Sequence, residues 1–250
     1  MNAAEIAVVV GSTGAMGQVI VRRLAQRGLK VVAVARSENS LASLVAEAPG
    51  TVACAADIAA DSAIEAIAAH LDRPVRMVVH GPGVATAGGV RDAPTQAVID
   101  AVNIKVGGML RLVRSVDRRL ARHSRLVAIG GHYGFEPTAY AATAGVANAA
   151  LANLMRQLSW AYGERGITAH LIAPGPADTE RLRRVAESRA ALAGAGVDSI
   201  YAEMKRESAI GAFTSVEQIA WAVELLLAEE ADAFAGSTLF MDAGRRRGLP

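Results

Sequence analysis

Ile6-Ala7-Val8-Val9-Val10-Gly11-Ser12-Thr13-Gly14-Ala15-Met16-Gly17 holds the decisive pattern of this chain: five apolar residues run straight into a glycine-rich turn. A run of that length and type reads as a buried strand, and helical periodicity follows it over Met16–Gln26. In a strand–turn–helix unit of this kind, backbone N–H groups and the positive end of the helix can approach a phosphate. Any tight turn between strand and helix favours glycine. What strengthens the reading here is the position directly after the first strand.

Working outward, short β-branched runs recur at Lys30–Ala35, Thr51–Cys54, Val75–Val79, Arg125–Ile129, Ile167–Ile172 and Thr238–Met241. Amphipathic stretches lie between them at Ala63–His70, Thr95–Ser115, Tyr140–Tyr162 and Val216–Leu227. Strands separated by helices imply right-handed crossovers and a parallel sheet covered on both faces. The expectation is an α/β, doubly wound fold of about seven parallel strands, a single domain over residues 1–250. One polar, Arg-bearing segment, about 178–213, reads as irregular and lies between the sixth and seventh strands. Loops at the carboxyl ends of parallel strands carry ligands, so it is the expected substrate lid. Arg181, Arg183 and Arg184 open it; they read as a solvated helix face, with an acidic-substrate clamp as the alternative.

Composition narrows the function. The 250 residues are 52% hydrophobic and 20% charged, which excludes a disordered chain. Lys and Arg number 26 against 24 Asp and Glu, so there is no electrostatic footprint for nucleic acid. Cys54 is the only cysteine, which excludes a disulfide framework and fits a reducing cytoplasm. The five histidines show no metal-ligand spacing, and no metal is expected. No basic segment precedes the first apolar run, so no signal peptide is expected. The uncharged stretch from Thr138 to Met155 is mostly Ala with Asn, Thr, Gly and Tyr, too weakly apolar for lipid. It reads as a helix buried against another subunit.

The second strand ends Val34-Ala35-Arg36-Ser37. A cofactor with a free ribose 2′-hydroxyl meets an acid at this point, whereas an arginine accommodates a 2′-phosphate. Ala35 removes the acid and Arg36 supplies the cation, so NADP(H) is expected in preference to NAD(H). Asp57 and Ile58, after the third strand, stand where an adenine edge can be read.

With these motifs in order, the chain resembles the short-chain dehydrogenase/reductase family over essentially its whole length. The turn from Gly11 to Gly17 is similar to the family's TGxxxGxG, with Ala15 at the middle glycine. His80-Gly81-Pro82-Gly83 takes the place of NNAG, Asn103 matches the helix asparagine, and Pro174-Gly175-Pro176-Ala177-Asp178-Thr179 matches the PG…T motif at the nicotinamide end. Gly236 to Gly244 is similar to the closing strand with its DGG. The resemblance implies a Rossmann-type fold, cofactor contacts from Gly11 through Gly17, Arg36, Ser37, Asp57, Ile58, Gly81, Pro82, Gly83, Pro174, Gly175, Pro176 and Thr179, and a homodimer or homotetramer.

The family's catalytic group is Asn, Ser, Tyr and Lys, the last two spaced YxxxK. Here Asn103 and Tyr140 remain, the serine position reads as Gly131 and the lysine position as Ala144. A cation about 4 Å from a phenol contributes about 4 kcal/mol at an effective dielectric of ~20. Its loss should weaken alcohol oxidation, which needs a tyrosinate base, more than carbonyl reduction, which needs only a proton donor. A missing serine hydroxyl costs roughly 10²–10³ in rate. His132 follows the vacant serine position and, with Glu136 and Tyr133, is a candidate replacement; His80 ends the fourth strand. The expected function is NADP(H)-dependent reduction of a carbonyl or related group on a small substrate, with Tyr140 as proton donor and Asn103 as organiser. The alternatives are a non-redox cyclase or dehydratase, or a cofactor-binding pseudoenzyme.

Overall fold

Alternation inside each apolar run decides where its residues go. Along β1 (Ile6–Val10), Ile6, Val8 and Val10 enter one core while Ala7 and Val9 enter the other, so both faces of the strand are covered. The computed structural model describes residues 5–85 and 88–248, apart from the side chains of residues 181, 188 and 192. Arg181 therefore lies outside the described side chains.

β2 (Lys30–Ala35), β3 (Thr51–Ala55), β4 (Val75–His80), β5 (Leu120–Ile129), β6 (Thr168–Pro174) and β7 (Thr238–Met241) join β1 in one parallel sheet. The strand order is β3-β2-β1-β4-β5-β6-β7. This is the doubly wound arrangement that the alternating pattern implies. Its direction reverses between β1 and β4, which opens a crevice at the carboxyl ends of the strands. α1 (Ala15–Gln26), α2 (Glu38–Glu47) and α9 (Val216–Leu225) pack on one face through Ile20, Leu24, Leu41, Ile219 and Val223. α3 (Ser62–Ala68), α5 (Gly108–Val116) and α6 (Ala142–Gly163) cover the other through Ile67, Met109, Leu112, Leu151 and Met155. Each such side chain, fully buried, contributes about 1.5–3 kcal/mol of transfer free energy.

Several elements differ from the sequence reading. β5 begins at Leu120 rather than Arg125, because a register shift against β4 lets Leu120 pair with Val75. α2 is an added helix, started by Ser37, whose hydroxyl accepts from the Ser40 amide. The amphipathic stretch after Thr95 is α4 (Thr95–Val102), a π-helical turn over Asn103–Gly107, and then α5. The supposedly irregular lid contains two helices, α7 (Glu180–Ala193) and α8 (Val197–Arg206). Thr179 caps the start of α7, Gly194 ends it in the left-handed conformation, and Leu182, Ala186 and Met204 form a small core of their own. Among the described residues no helix is long and apolar enough to cross a membrane.

Candidate active site

The crevice has two walls. On the β1 side Gly11 adopts a φ of +80°, and a Cβ there would lie 3.0 Å from the Pro82 nitrogen. Gly17 has even less room: a Cβ would sit 2.2 Å from the Gly11 carbonyl oxygen, so α1 can start this close to β1 only with glycine. Ser12 is fully buried, and both its hydroxyl, at 3.1 Å, and its amide, at 3.2 Å, donate to the Val34 carbonyl, which pins the turn to the end of β2. Thr13 is tied by its carbonyl to the Gln18 amide. Gly14 precedes α1 without any side-chain cap, no acid stands in the helix's first turn, and Ala15 and Met16 open the helix. The positive end of α1 is thus left to whatever binds there.

The neighbouring loops complete this wall. Arg36 is exposed at the end of β2 and, among the described residues, makes no ion pair. The exposed carboxylate of Asp57 accepts from the Ala59 amide at 3.0 Å, while Ile58 is buried beside it. Gly81 donates to Val10 at the end of β1, and Pro82 and Gly83 carry the chain away from β4. Across the crevice, Gly175 packs on Asp242, Pro176 accepts from the Thr214 amide and Thr179 begins the lid helix. The structure brings all the expected cofactor residues to the carboxyl edge of the sheet.

The β5 side is different. A Cβ on Gly131 would lie 2.9 Å from Nδ2 of Asn148, so glycine at 131 and asparagine at 148 fit each other and a serine would require the Asn148 side chain to shift. Asn148 is buried on α6, and its Oδ1 has no partner. One turn earlier, on the same helix face, stands Ala144. Counted along the face that meets Gly131, a Tyr–x–x–x–Lys spacing falls on Ala144 and Asn148. Tyr140 precedes the helix, which begins at Ala142.

Tyr140 has other neighbours. Its hydroxyl lies 2.7 Å from that of Tyr133, with the rings edge to face, and Arg189 of α7 donates to it from Nη2 at 3.1 Å. Tyr140 as a whole is 45% exposed. Tyr133 packs beside Ala144 and Val84, and burial pushes its phenol up, with the hydrogen bond to Tyr140 adding to the effect.

His132 and His80 are held neutral. Burial, reinforced by the Arg245 charge, lowers His132 to about 4, against the opposing bond it gives the Pro174 carbonyl. His80 is lowered to about 3 by burial and then by the charge of Lys105; its Nε2 pairs with the Ile104 carbonyl. Glu136 accepts from the Arg247 and Gly248 amides. Asn103 is anchored at the π turn, donating to the Ala59 carbonyl and accepting from Arg111. The lysines lie elsewhere: Lys30 pairs with Asp72, Lys205 lies over Tyr201 and Phe213, and buried Lys105 donates to the Ile129 carbonyl. The cation at Tyr140 is an arginine from the lid. Sequence reading reached neither Arg189 nor Asn148.

Residues 10–246 match the family model described as enoyl-(acyl carrier protein) reductase. The chain belongs to the short-chain dehydrogenase/reductase family. Among relatives of this family, the 3-oxoacyl-[acyl-carrier-protein] reductase FabG of Escherichia coli is 28% identical over 247 residues, covering 96% of each chain. The short-chain reductase protein NovJ of Streptomyces niveus is 28% identical, over 96% of this chain and 94% of its own. The fold superposes on that of a single-residue variant of the actinorhodin polyketide ketoreductase, solved with NADPH, with a TM-score of 0.88 at 23% identity and 97% coverage of both chains. The relatives are reductases, which agrees with the oxidoreductase class expected from the motifs.

Proposed function

We propose that this short-chain family member is an NADP(H)-dependent reductase of a carbonyl or related group on a small substrate, with the phenol of Tyr140 as proton donor. The observation that carries it is the phenol pair at the carboxyl edge of the sheet, Tyr133 and Tyr140 at 2.7 Å with Tyr140 an exposed residue. The opposite wall fits the dinucleotide. A glycine-walled turn, a helix end without a side-chain cap and an Arg36 that makes no ion pair among the described residues suit a pyrophosphate and a 2′-phosphate. The relatives' names and the NADPH in the solved ketoreductase support the same reading.

When bound, the reduced dinucleotide supplies a hydride to the carbonyl carbon. Tyr140 gives its proton to the carbonyl oxygen, and Tyr133, kept protonated by burial, can hydrogen-bond to the phenolate left behind. Asn103 fixes the π turn, and His132 supports the loop as a neutral, buried group. The test is NADPH oxidation with a panel of small carbonyl compounds, comparing the protein with Tyr140→Phe. Equal rates in the two would refute the proposal.

A second reading is favoured by one observation. The α6 face at Gly131 carries Ala144 and Asn148, neither an acid nor a cation. A protein that binds the cofactor without transferring hydride, as a partner of another chain or as a non-redox enzyme, would keep the glycine turn and tolerate that loss. Its mark is NADPH binding with no turnover on any carbonyl. Assembly as a homodimer or homotetramer, through the Ala-rich α6, belongs to either reading.

A further inference from the structure

We propose that Arg189, carried on the lid helix α7, is the positioning residue that sets the Tyr140 hydroxyl in its donating orientation, so that the acid is assembled only when the lid lies against the β5–α6 loop. This rests on the phenol reading above and adds a residue from a different element. Arg189 is half-buried and, among the described residues, has no carboxylate partner. It donates to Tyr140 at 3.1 Å, and its guanidinium carbon lies 5.5 Å from the centre of the Tyr140 ring. Arginine has donors and no acceptor. The contact therefore fixes the Tyr140 oxygen as an acceptor toward the lid and leaves its proton for another direction.

The loop side is held independently. The Ala139 carbonyl accepts from Val90, the Ala142 amide donates to Gly88, and Thr143 donates to the Ala85 carbonyl at 2.7 Å. The segment bearing Tyr140 is thus fastened to the β4–α4 loop whether or not the lid is near. α7 is fastened to α8 through Leu182, Ala186 and Met204. Arg189 spans the two bodies. The guanidinium also takes the side of the phenol on which positive charge stabilises the oxygen once its proton has left for the substrate.

The test uses the full chain with Arg189→Met, Arg189→Lys and Tyr140→Phe. Two measurements are made: steady-state NADPH oxidation with the carbonyl panel, and hydrogen–deuterium exchange of the free protein. In Arg189→Met, kcat is expected to fall roughly tenfold or more while KM for the carbonyl changes less, and Arg189→Lys recovers part of the loss. Exchange over residues 180–193 is expected to rise equally in Arg189→Met and Tyr140→Phe. An Arg189→Met protein with undiminished kcat overturns the proposal, as does unchanged exchange over α7 in both variants. Should the wild-type protein show no Tyr140-dependent turnover, the phenol reading fails by itself. The exchange comparison then decides the lid contact: a matched rise supports it and no rise removes it.

Discussion

The two ends of the crevice are made of different material. At the β1 end the wall is main chain: glycine at 11 and 17, the uncapped start of α1, and the loop through Pro82, held by backbone hydrogen bonds to Val10 and Val34. At the β5 end the wall is side chain: Tyr133, Tyr140 and Arg189 come from separate segments, and Asn148 fills the space at Gly131. A backbone cradle survives as long as its glycines do, because its chemistry lies in N–H groups that every residue type carries. A side-chain site loses its chemistry with a single substitution. In this chain the first wall has a shape that suits a dinucleotide, while the second presents its polar groups on a loop and on α7, with Ala144 and Asn148 on the facing turn of α6.

The strongest way to break this contrast is to rebuild the α6 face. Gly131→Ser alone should force the Asn148 side chain to shift, so the replacement is made as Gly131→Ser, Ala144→Tyr and Asn148→Lys together. A positioned acid contributes 10²–10⁴ and an oxyanion donor roughly 10²–10³, so NADPH-dependent reduction should rise by about 10³ or more in the folded triple variant, checked by its thermal midpoint. Ala144→Lys alone places a lysine four residues after Tyr140 and should gain almost nothing. If that single change outperforms the triple, the helix phase argued from Gly131 is wrong.

A smaller effect separates the walls by pH. His132 lies in the β5 wall, where burial lowers its pKa to about 4 from the ordinary 6.5. The unfolded chain therefore binds a proton that the folded one refuses between those values. The stability tied to the neutral ring is present above pH 6.5 and is lost as pH falls toward 4, at about 1.4 kcal/mol per unit. His80 and His170 act in the same direction, lowered chiefly by burial to about 3 and about 4. The thermal midpoint should fall steadily from pH 6.5 to 4, and less steeply in His132→Gln. A midpoint flat over that range would show these rings to be accessible.

How much of this was readable follows the same division. β1, β2 and β7 are bounded in the sequence where they are bounded in the fold, because a buried parallel strand is a continuous apolar run. The glycine turn and Arg36 were readable because local sequence alone builds them. The π turn at Asn103 was not, since one wide turn barely disturbs helical periodicity. α7 is too polar to announce itself by periodicity, although Thr179 and Gly194 are ordinary signals for its ends. The contact from Arg189 to Tyr140 spans 49 residues, and no spacing rule reaches that far. Asn148 is hidden in the sequence for a subtler reason. A four-residue spacing can be counted from any tyrosine, and only the packing of α6 on Gly131 says which turn of the helix meets the end of β5.

Arg36 gives the finest test of the contrast, because it is the cationic side chain of the β1 wall to which the reading gives the 2′-phosphate. Exposed and unpaired among the described residues, it does no visible structural work. Replacing it with alanine should therefore leave the thermal midpoint unchanged. A charge-assisted hydrogen bond contributes about 1.5–3 kcal/mol, so Arg36→Ala should weaken NADPH binding roughly 10- to 100-fold by fluorescence titration. NADH, which lacks the 2′-phosphate, should bind the two proteins alike. Equal weakening of both cofactors would mean that Arg36 shapes the wall instead of reading the phosphate, and no loss for either would assign the 2′-phosphate to another cation. In both cases the glycine turn would still hold the pyrophosphate, since its N–H groups do not depend on what stands at residue 36.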